Sequence, residues 1–388
     1  MELYQHQQKL LDLNPKKHLL AWETGTGKTV AACQLAKKNV NSTLVIMPKS
    51  LKEQWLEQDL TSEQCFVTKE TFRRDWNKIK KYDCLIIDEA HYFSGIKSQM
   101  SKSLLAYVKK HKPEYIYLLT ATPYLSSPFN IYCLAAILGV KWSYPSFRRT
   151  FFTDVRMGSR VIPVIKKGIE PKIAALVNQL GSTVRLQDCV DLPEQIFETE
   201  YFEVSKEQQE VIREIKQTEV NHIVKWTKCH QVYGGTLKGD GYSVTKYFKS
   251  EKLQRLRDIC SEHKKVVVVC RYNAECEMIR REIGGFIING ETTAKHDKIK
   301  FANEQDQGHL IINAACSEGY ELPTFDLMVF YSYDFSLKNY IQMIGRISRI
   351  NNPKKNVYLS LITKGTVDED VYNCIQSKKS FDLAIYGK

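Results

Sequence analysis

The chain has 388 residues, of which 43% are hydrophobic and 26% are charged, and its formal net charge is +12. This length and composition are typical of a globular protein with two or three hydrophobic cores. They exclude a membrane-spanning or secreted chain, because no apolar run reaches about eighteen residues and the N-terminal segment is polar. We therefore expect a soluble, cytoplasmic protein with no membrane partner.

The eleven cysteines are scattered singly along the chain, and no two are spaced as C-x-x-C. This spacing predicts neither a disulfide framework nor a zinc site. His222, Cys229 and His230 form the one cluster that resembles a metal site. Because that cluster lacks a second ligand pair, we interpret these side chains as isolated polar or core residues.

The first half of the chain alternates short apolar runs with helical patterns. The runs span 18–22, 43–48, 84–88 and 115–120, and helices are predicted over 28–38 and 98–110. Buried runs of five or six residues separated by helices are typical of parallel strands covered on both faces. The pattern predicts an α/β lobe over residues 1–150.

The stretch WETGTGKT, Trp22 to Thr29, lies between the first predicted strand and the first long helix. Its glycines allow backbone N–H groups to approach phosphates, and the helix N-terminus favours anions. The segment Gly25, Thr26 and Gly27 is therefore predicted to bind nucleotide phosphates, with Lys28 on the β- and γ-phosphates and Thr29 on Mg²⁺. Trp22 stands where the usual motif has glycine, but it falls at the strand end, where close backbone approach is not needed.

The sequence DEAH, Asp88 to His91, directly follows the predicted strand over 84–88. Two carboxylates are thereby placed at the carboxyl edge of the same sheet as the glycine-rich turn, where ligands of α/β proteins bind. We predict that Asp88 holds Mg²⁺ and that Glu89 orients or deprotonates the attacking water.

The positive charge is concentrated in two windows. Residues 141–172 hold eight Lys or Arg against two acids, and residues 216–257 hold nine against three. The aromatic residues within these windows are Trp142, Tyr144, Phe147, Phe151, Phe152, Trp226, Tyr233, Tyr242, Tyr247 and Phe248. Basic and aromatic residues together are suited to a polyanion with stackable bases, although a solvated basic face over core aromatics gives the same pattern.

A second α/β lobe is predicted over residues 249–388, with strands at 266–270, 286–290, 309–314, 327–332 and 357–362. Between the lobes, residues 151–248 are interpreted as a basic helical insertion and linker. A helix is predicted there over 206–218, and a glycine-rich loop over 234–242.

The stretch QMIGRISRI, 342–350, places Arg346 and Arg349 three residues apart, on one face of a predicted helix. Two such guanidinium groups can stabilise charge on a γ-phosphate bound between the lobes. Phosphate-backbone contact or a plain surface pair remains the alternative for this motif on its own.

Taken together, these motifs make the chain resemble a superfamily 2 helicase or translocase, and most closely the Swi/Snf-like branch. The segments that carry the resemblance are Gln7 in LYQHQ, WETGTGKT, VIMPKSLKEQW (45–55), DEAH, TATP (120–123), VVVVCRYNAECE, AACSEGYEL (314–322), QMIGRISR and VYLSLITKGTVDEDVY. Trp-Glu-Thr departs from the Asp-Glu-Met usual in that branch, and GRISRI departs from GRAHRIGQ.

The resemblance implies two RecA-like lobes and Mg-ATP hydrolysis coupled to lobe closure that moves the protein along nucleic acid. It implies that Gln7 reads adenine, that Gly319 lies at the closing interface, and that His91 contacts the facing motifs. Thr120 and Thr122 would link the ATP site to the DNA path.

We expect a DNA-dependent ATPase that moves as a monomer on duplex or branched DNA without sequence preference. Small stand-alone motors of this kind resemble those of bacteria and their phages, which implies phage or host replication and recombination proteins as partners, in the host cytoplasm if phage-encoded. Three alternatives remain: an RNA helicase, the motor subunit of a nuclease or restriction complex, and a nucleotide-binding protein without motor activity.

Overall fold

Two six-stranded parallel sheets organise the part of the chain that the structure describes. The structure is a computed structural model, and it describes residues 3–58, 60–124, 127–157, 160–189, 194–239, 245–348 and 355–386. The chain divides into two units, Met1–Asp191 with Ser380–Lys388, and Leu192–Lys379. Each unit contains one of the sheets, in agreement with the predicted pair of α/β lobes.

The first unit alternates strands and helices from its beginning. Its strands are β1 (Lys17–Trp22), β2 (Ser42–Met47), β3 (Glu63–Thr68), β4 (Cys84–Asp88), β5 (Tyr115–Leu119), β6 (Phe152–Met157), β7 (Arg160–Ile165) and β8 (Gly181–Val184). Its helices are α1 (Gln5–Leu13), α2 (Lys28–Asn39), α3 (Lys52–Leu56), α4 (Lys69–Asp75), α5 (Gln99–His111), α6 (Phe129–Ile137), α7 (Tyr144–Phe151) and α8 (Glu170–Leu180).

The strand order of the first sheet is β3-β2-β4-β5-β1-β8. Strands β2, β4, β5 and β1 are apolar on both faces and almost wholly buried, because helices cover both sides of the sheet. Since β4, β5 and β1 are neighbours and parallel, the segments that follow them emerge side by side at one edge. These segments are the glycine-rich turn, DEAH and TATP.

The second unit has the same construction. Its strands are β9 (Gln195–Phe202), β10 (Thr236–Leu237), β11 (Lys246–Tyr247), β12 (Lys265–Cys270), β13 (Phe286–Ile288), β14 (Gly308–Asn313), β15 (Leu327–Phe330) and β16 (Asn356–Thr363). Its helices are α9 (Lys206–Thr218), α10 (His222–Tyr233), α11 (Glu251–Glu262), α12 (Asn273–Ile283), α13 (Lys295–Glu304), α14 (Leu337–Ile347) and α15 (Val367–Tyr386). The sheet order is β13-β14-β12-β15-β16-β9.

The segment predicted as one insertion, 151–248, is shared between the two units. It begins with the antiparallel hairpin β6–β7, and α8 then packs into the first core. Strand β8 extends the first sheet by pairing with β1, and β9 extends the second by pairing with β16. The other two helices of the segment, α9 and α10, pack on each other with Ile212, Ile215 and Val232 buried. Both added strands lie at sheet edges, where a continuous apolar run is not required, so they lack the pattern that marks the inner strands.

The predicted glycine-rich loop over 234–242 is partly a buried turn. A Cβ on Gly234 would lie 1.9 Å from Glu275 Oε1, and the Gly234 carbonyl accepts a 3.1 Å hydrogen bond from Tyr331 Oη–H. The first glycine is needed for this close approach to α12 and is not a flexible linker. Residues 240–242 of the predicted loop lie outside the described residues.

Candidate active site

The predicted phosphate-binding turn joins β1 directly to α2. Gly25 and Gly27 have φ of 88° and 75°, the left-handed region that favours glycine, and Gly27 is the N-cap of α2. Lys28 Nζ donates to the carbonyls of Trp22 and Glu23 at 2.9 and 3.0 Å. The ammonium group is thus held over the turn at the start of a twelve-residue helix, whose N-terminus favours anions.

Trp22, the departure from the usual motif, is a core residue. Its side chain is buried, and its indole Nε1–H donates to Ser182 Oγ at 2.8 Å. His18 Nε2 lies 2.9 Å from the same hydroxyl. Because Ser182 lies on β8, the tryptophan links the end of β1 to the edge strand beside it. It therefore stabilises the strand from which the turn departs without entering the turn.

Gln7 contacts the turn from α1. Its Nε2 donates to the Gly27 carbonyl at 3.1 Å, and its Oε1 accepts from the Tyr4 backbone N–H at 2.8 Å. A Cβ on Gly27 would lie 2.2 Å from Gln7 Nε2 and would displace that amide, and the left-handed φ of 75° also favours glycine there. His6 Nε2 lies 2.8 Å from the Thr26 carbonyl. Helix α1 therefore supports the turn. The nitrogen and the oxygen of the Gln7 side-chain amide are both hydrogen-bonded to backbone groups of the protein.

Asp88 ends β4 as a buried carboxylate. Trp55 Nε1–H donates to its Oδ2 at 2.8 Å, and the Glu89 backbone N–H donates to its Oδ1 at 2.9 Å. Burial and the adjacent Glu89 charge raise the pKa of Asp88 to about 6, against the lowering effects of Trp55 and Lys28. A buried carboxylate in this state favours a cation beside it.

Glu89 and His91 connect this carboxylate to the next strand. Glu89 has a left-handed φ of 50°, a conformation that costs a non-glycine residue on the order of 1 kcal/mol or more. His91 Nδ1 lies 3.1 Å from Glu89 Oε2 and 3.2 Å from Thr120 Oγ1, and Thr120 Oγ1 accepts from the Thr122 N–H at 3.1 Å. Within this unit, DEAH is thus connected by contacts to TATP.

These residues fit a magnesium nucleotide. The glycines leave the turn free of side chains, the lysine supplies a positive charge, and Asp88 supplies a buried oxygen ligand of the kind that Mg²⁺ prefers. Thr29 lies in the first turn of α2 and would supply a hydroxyl oxygen to the same ion. The Lys28 charge opposes the rise in the pKa of Asp88, as expected of a lysine and a carboxylate near one edge of the sheet.

In the second unit, Arg346 is a buried side chain that donates to two backbone carbonyls. Its Nε donates to the Ser317 carbonyl at 2.8 Å and its Nη1 to the Tyr320 carbonyl at 2.7 Å. It therefore holds the turn that contains Gly319, whose φ is 83°. Helix α14 ends at Ile347, so the predicted single helix through both arginines stops short of the second. Arg349 lies outside the described residues.

Most aromatic side chains of the first basic window, 141–172, belong to the hydrophobic core of the first unit or pack against it. Phe147, Phe151 and Phe152 are buried in the first core, and Trp142 packs against it. Arg148 is paired with Asp154, with its Nη2 2.7 Å from Oδ1. The aromatic side chains of this window that are buried are unavailable to bases, whereas Tyr144 is exposed.

The second window is also partly neutralised within the protein. Lys252 is buried and donates to Asp368 Oδ2 at 2.7 Å. Arg255 makes two hydrogen bonds to the carboxylate of Glu200, of 2.9 and 3.0 Å. Lys246 and Lys249 remain exposed, as do Trp226 and Tyr247, whereas Tyr233 and Phe248 are buried; Tyr242 lies outside the described residues.

The three residues of the cluster His222, Cys229 and His230 differ in their exposure to solvent. Cys229 and His230 are buried, and His230 Nδ1 lies 3.2 Å from Tyr272 Oη, while its Nε2 is 3.5 Å from Asp368 Oδ1. His222 is exposed at the start of α10. The buried histidine is thus part of the ionic cluster around Asp368.

The sequence alone did not predict the contacts of two residues in the site. Trp55, in the matched stretch 45–55, orients Asp88 from a different helix, and Ser182 anchors Trp22 from the edge strand. The tryptophan at the end of that stretch was a usable signal, because a buried indole requires an acceptor. A serine in a four-residue strand carries no such signal.

Comparison with known proteins gives one domain match and several relatives. Residues 251–351 match the helicase conserved C-terminal domain. The uncharacterized ATP-dependent helicase YqhH of Bacillus subtilis is 22% identical over 96% of this chain and 76% of its own length. The CHD3-type chromatin-remodeling factor CHR7 of Arabidopsis thaliana is 22% identical over 79% of this chain, and the RNA polymerase-associated protein RapA of Haemophilus influenzae is 22% identical over 88%.

The chain spans 27% of the length of CHR7 and 42% of that of RapA. A solved structure of the Sulfolobus solfataricus SWI2/SNF2 ATPase core in complex with dsDNA has a TM-score of 0.44 and 19% identity, over 98% of this chain and 92% of that one. No helix within the described residues has the length and apolarity to cross a bilayer. The chain is thus similar to the helicase conserved C-terminal domain over residues 251–351 and, over most of its length, to an ATP-dependent helicase, a chromatin-remodeling factor and an RNA polymerase-associated protein.

Proposed function

We propose that the chain is a DNA-dependent ATPase that couples hydrolysis of Mg-ATP to translocation on duplex or branched DNA. The observation that carries the proposal is the convergence of Lys28, Asp88 and Glu89 at the ends of nearby parallel strands in the first unit. A lysine on a glycine-rich turn and two consecutive carboxylates are the parts that phosphoryl transfer requires.

Each side chain has a distinct role in this proposal. Bound Mg-ATP supplies the γ-phosphoryl group that is transferred to water. Lys28 pairs with the β- and γ-phosphates, leaving its contacts with the Trp22 and Glu23 carbonyls. Asp88 and Thr29 hold the metal ion. Glu89, next to the imidazole of His91, orients the attacking water and accepts its proton.

The proposed roles of Gly25, Thr26 and Gly27 are backbone contacts to the phosphates, and that of Gln7 is to meet the base end of the nucleotide. In the second unit, Gly319 and Arg346 belong to one hydrogen-bonded turn. We assign to Arg349 the charge stabilisation expected of an arginine finger, and to Arg346 the support of that turn.

DNA is favoured as the partner for two reasons. The relatives are named as an ATP-dependent helicase, a chromatin-remodeling factor and an RNA polymerase-associated protein. The chain also retains exposed lysines, such as Lys246 and Lys249, that have the charge needed for phosphate contact.

The test compares the ATPase rate with duplex DNA, single-stranded DNA, a four-way junction and RNA at one salt concentration. We expect duplex or junction DNA to stimulate hydrolysis most. RNA as the best activator would replace the proposal with an RNA helicase. Hydrolysis that no nucleic acid stimulates would show that the chain is not a motor on nucleic acid.

A further inference from the structure

A pocket of about 300 Å³ opens in the second unit beside α10. Its walls are formed mainly by rings, with five aromatic or imidazole side chains around one opening. These are His222, Trp226, His230, Tyr272 and Phe335. None of the residues that line the pocket is among those assigned to nucleotide hydrolysis.

The pocket lies at a place in the sheet where α/β proteins bind ligands. Tyr272 follows the carboxyl end of β12, and Phe335 follows that of β15. These two strands are neighbours, and the chain leaves them in opposite directions, from β12 towards β13 and from β15 towards β16. Such a switch point opens a crevice outside the strand ends.

Two rings of the pocket are largely exposed to solvent. Trp226 is 50% exposed and Phe335 is 46% exposed, although the same unit buries Tyr331 and Phe325 completely. Both side chains keep part of their ring surface accessible at the opening, although Phe335 also contacts Arg271 and His230. Flat aromatic faces around a cavity are suited to a flat ligand, because base–aromatic stacking stabilises binding of any base.

Arg271 supplies a positive charge at the same opening. Its guanidinium lies 4.4 Å from the centre of the Phe335 ring and 5.1 Å from that of Tyr272. Its Nη1 is buried and has no hydrogen-bond partner within the described residues. The charge of Arg271 lowers the pKa of Asp334, but the hydrogen bonds given for that carboxylate come from the Ser336 N–H and from Asn339.

An unsatisfied buried guanidinium nitrogen is costly unless a ligand supplies an acceptor. A phosphate oxygen suits it, because arginine binds phosphate in a planar, charge-assisted geometry. An aliphatic side chain would satisfy neither the charge nor the guanidinium nitrogen.

We propose that this pocket, which we call the α10 pocket, binds one unpaired base of single-stranded DNA. The base stacks on Trp226 and Phe335, and Arg271 binds the adjacent phosphate. This inference deepens the proposed function and depends on it, since a translocase that opens or follows a branch must hold an unpaired strand. It predicts that the α10 pocket contributes to single-strand affinity and not to duplex affinity.

The experiment measures binding by fluorescence anisotropy of three labelled probes: an oligothymidylate, the same oligomer with abasic sites throughout, and a duplex. We expect Trp226→Ala and Phe335→Ala each to weaken oligothymidylate binding about 5- to 100-fold, as the loss of one stacked base predicts. Binding of the abasic oligomer and of the duplex should stay within about twofold of wild type. Arg271→Gln should weaken both single-stranded probes, since both keep their phosphates.

Phe301→Ala is the matched control, because Phe301 is 48% exposed in the same unit and does not line the pocket. It should leave all three affinities unchanged, and the thermal unfolding of each variant shows whether it is folded. Equal oligothymidylate affinity in wild type and Trp226→Ala would overturn the inference and leave the α10 pocket as a protein-docking surface. A wild-type chain that binds none of the three probes would instead reject the proposed function itself.

Discussion

The indole of Trp55 donates a hydrogen bond to Asp88 across 2.8 Å, between two buried side chains that are 33 residues apart in the chain. Trp55 lies on the short helix α3 and Asp88 at the end of β4. Trp55 bonds to Oδ2 and the Glu89 N–H to Oδ1, and because each carboxylate oxygen has two lone pairs, each keeps one that can face a cation.

Trp55→Phe should therefore impair magnesium binding without unfolding the protein. Burial and Glu89 already hold the pKa of Asp88 at about 6, and the Trp55 bond lowers it. Since Mg²⁺ requires the ionised carboxylate, apparent Mg²⁺ affinity should fall as the pH drops through about 6 in the wild type. In the variant this fall should begin at a higher pH. Magnesium titration of the ATPase rate at several pH values measures it.

The control for that substitution is Trp76→Phe, at a tryptophan that packs partly buried against the core of the same unit. It should leave the pH dependence of magnesium affinity unchanged. Identical curves for wild type and Trp55→Phe would show that the indole does not position Asp88.

Lys28→Ala and Glu89→Gln should each abolish ATP hydrolysis and leave DNA affinity close to that of wild type. The first removes the charge held over the turn, and the second removes the group that orients water. Phosphate release and DNA anisotropy on the same preparations test this. Lys37→Ala, at an exposed lysine of the same helix, should keep full turnover; near-wild-type turnover in either site variant would refute the site.

The two arginines of 342–350 should give different defects. Arg346→Ala should lower the free energy of unfolding by about 2–4 kcal/mol, because two carbonyl oxygens lose a charged donor. Arg349→Ala should reduce kcat by about 10³ with unchanged thermal unfolding and nearly unchanged ATP binding. Calorimetry and steady-state kinetics separate the two. Normal turnover in Arg349→Ala would remove the arginine finger from the proposal.

Exposed lysines and paired arginines should contribute differently to DNA binding. Replacing both Lys246 and Lys249 with Ala should weaken duplex binding. The slope of log affinity against log salt concentration should become shallower by about 0.9 for each phosphate that is no longer neutralised. Replacing Arg148 and Arg149 should have a smaller effect, because Asp154 already neutralises Arg148. Arg255→Ala, which breaks a pair with Glu200, is the control and should leave the slope unchanged.

Asp368→Asn should destabilise the second unit by about 3–5 kcal/mol, since it leaves the buried Lys252 without its partner. Burial alone would raise the pKa of Asp368, but the charge of Lys252 and the contact with His230 hold it below its ordinary value of 3.8. A lowered pKa contributes stability that is present above pH 3.8 and is lost as the pH falls below it. Urea unfolding should therefore show a wild-type advantage at neutral pH that shrinks in acid.

Local chemistry was enough to predict much of this protein. Continuous apolar runs predicted nine of the sheet strands, and β4 and α9 have the predicted bounds, because a buried strand or an amphipathic helix is specified by its own residues. The sequence also placed Lys28, Asp88 and Glu89 at strand ends. Parallel strands covered by helices bring those ends to one edge of a sheet, whatever the details of packing.

Tertiary structure alone decided what depends on partners distant in the chain. Strands β3, β8 and β9 are edge strands without a full apolar pattern, so pairing defines them. The charge windows overstated the free positive charge, since Lys252 and Arg255 find acids 116 and 55 residues away. Side chains such as Trp55, and the ring-lined α10 pocket, acquire their roles only when separate elements meet, because hydrogen bonding and stacking depend on distance in space and not on position in the sequence.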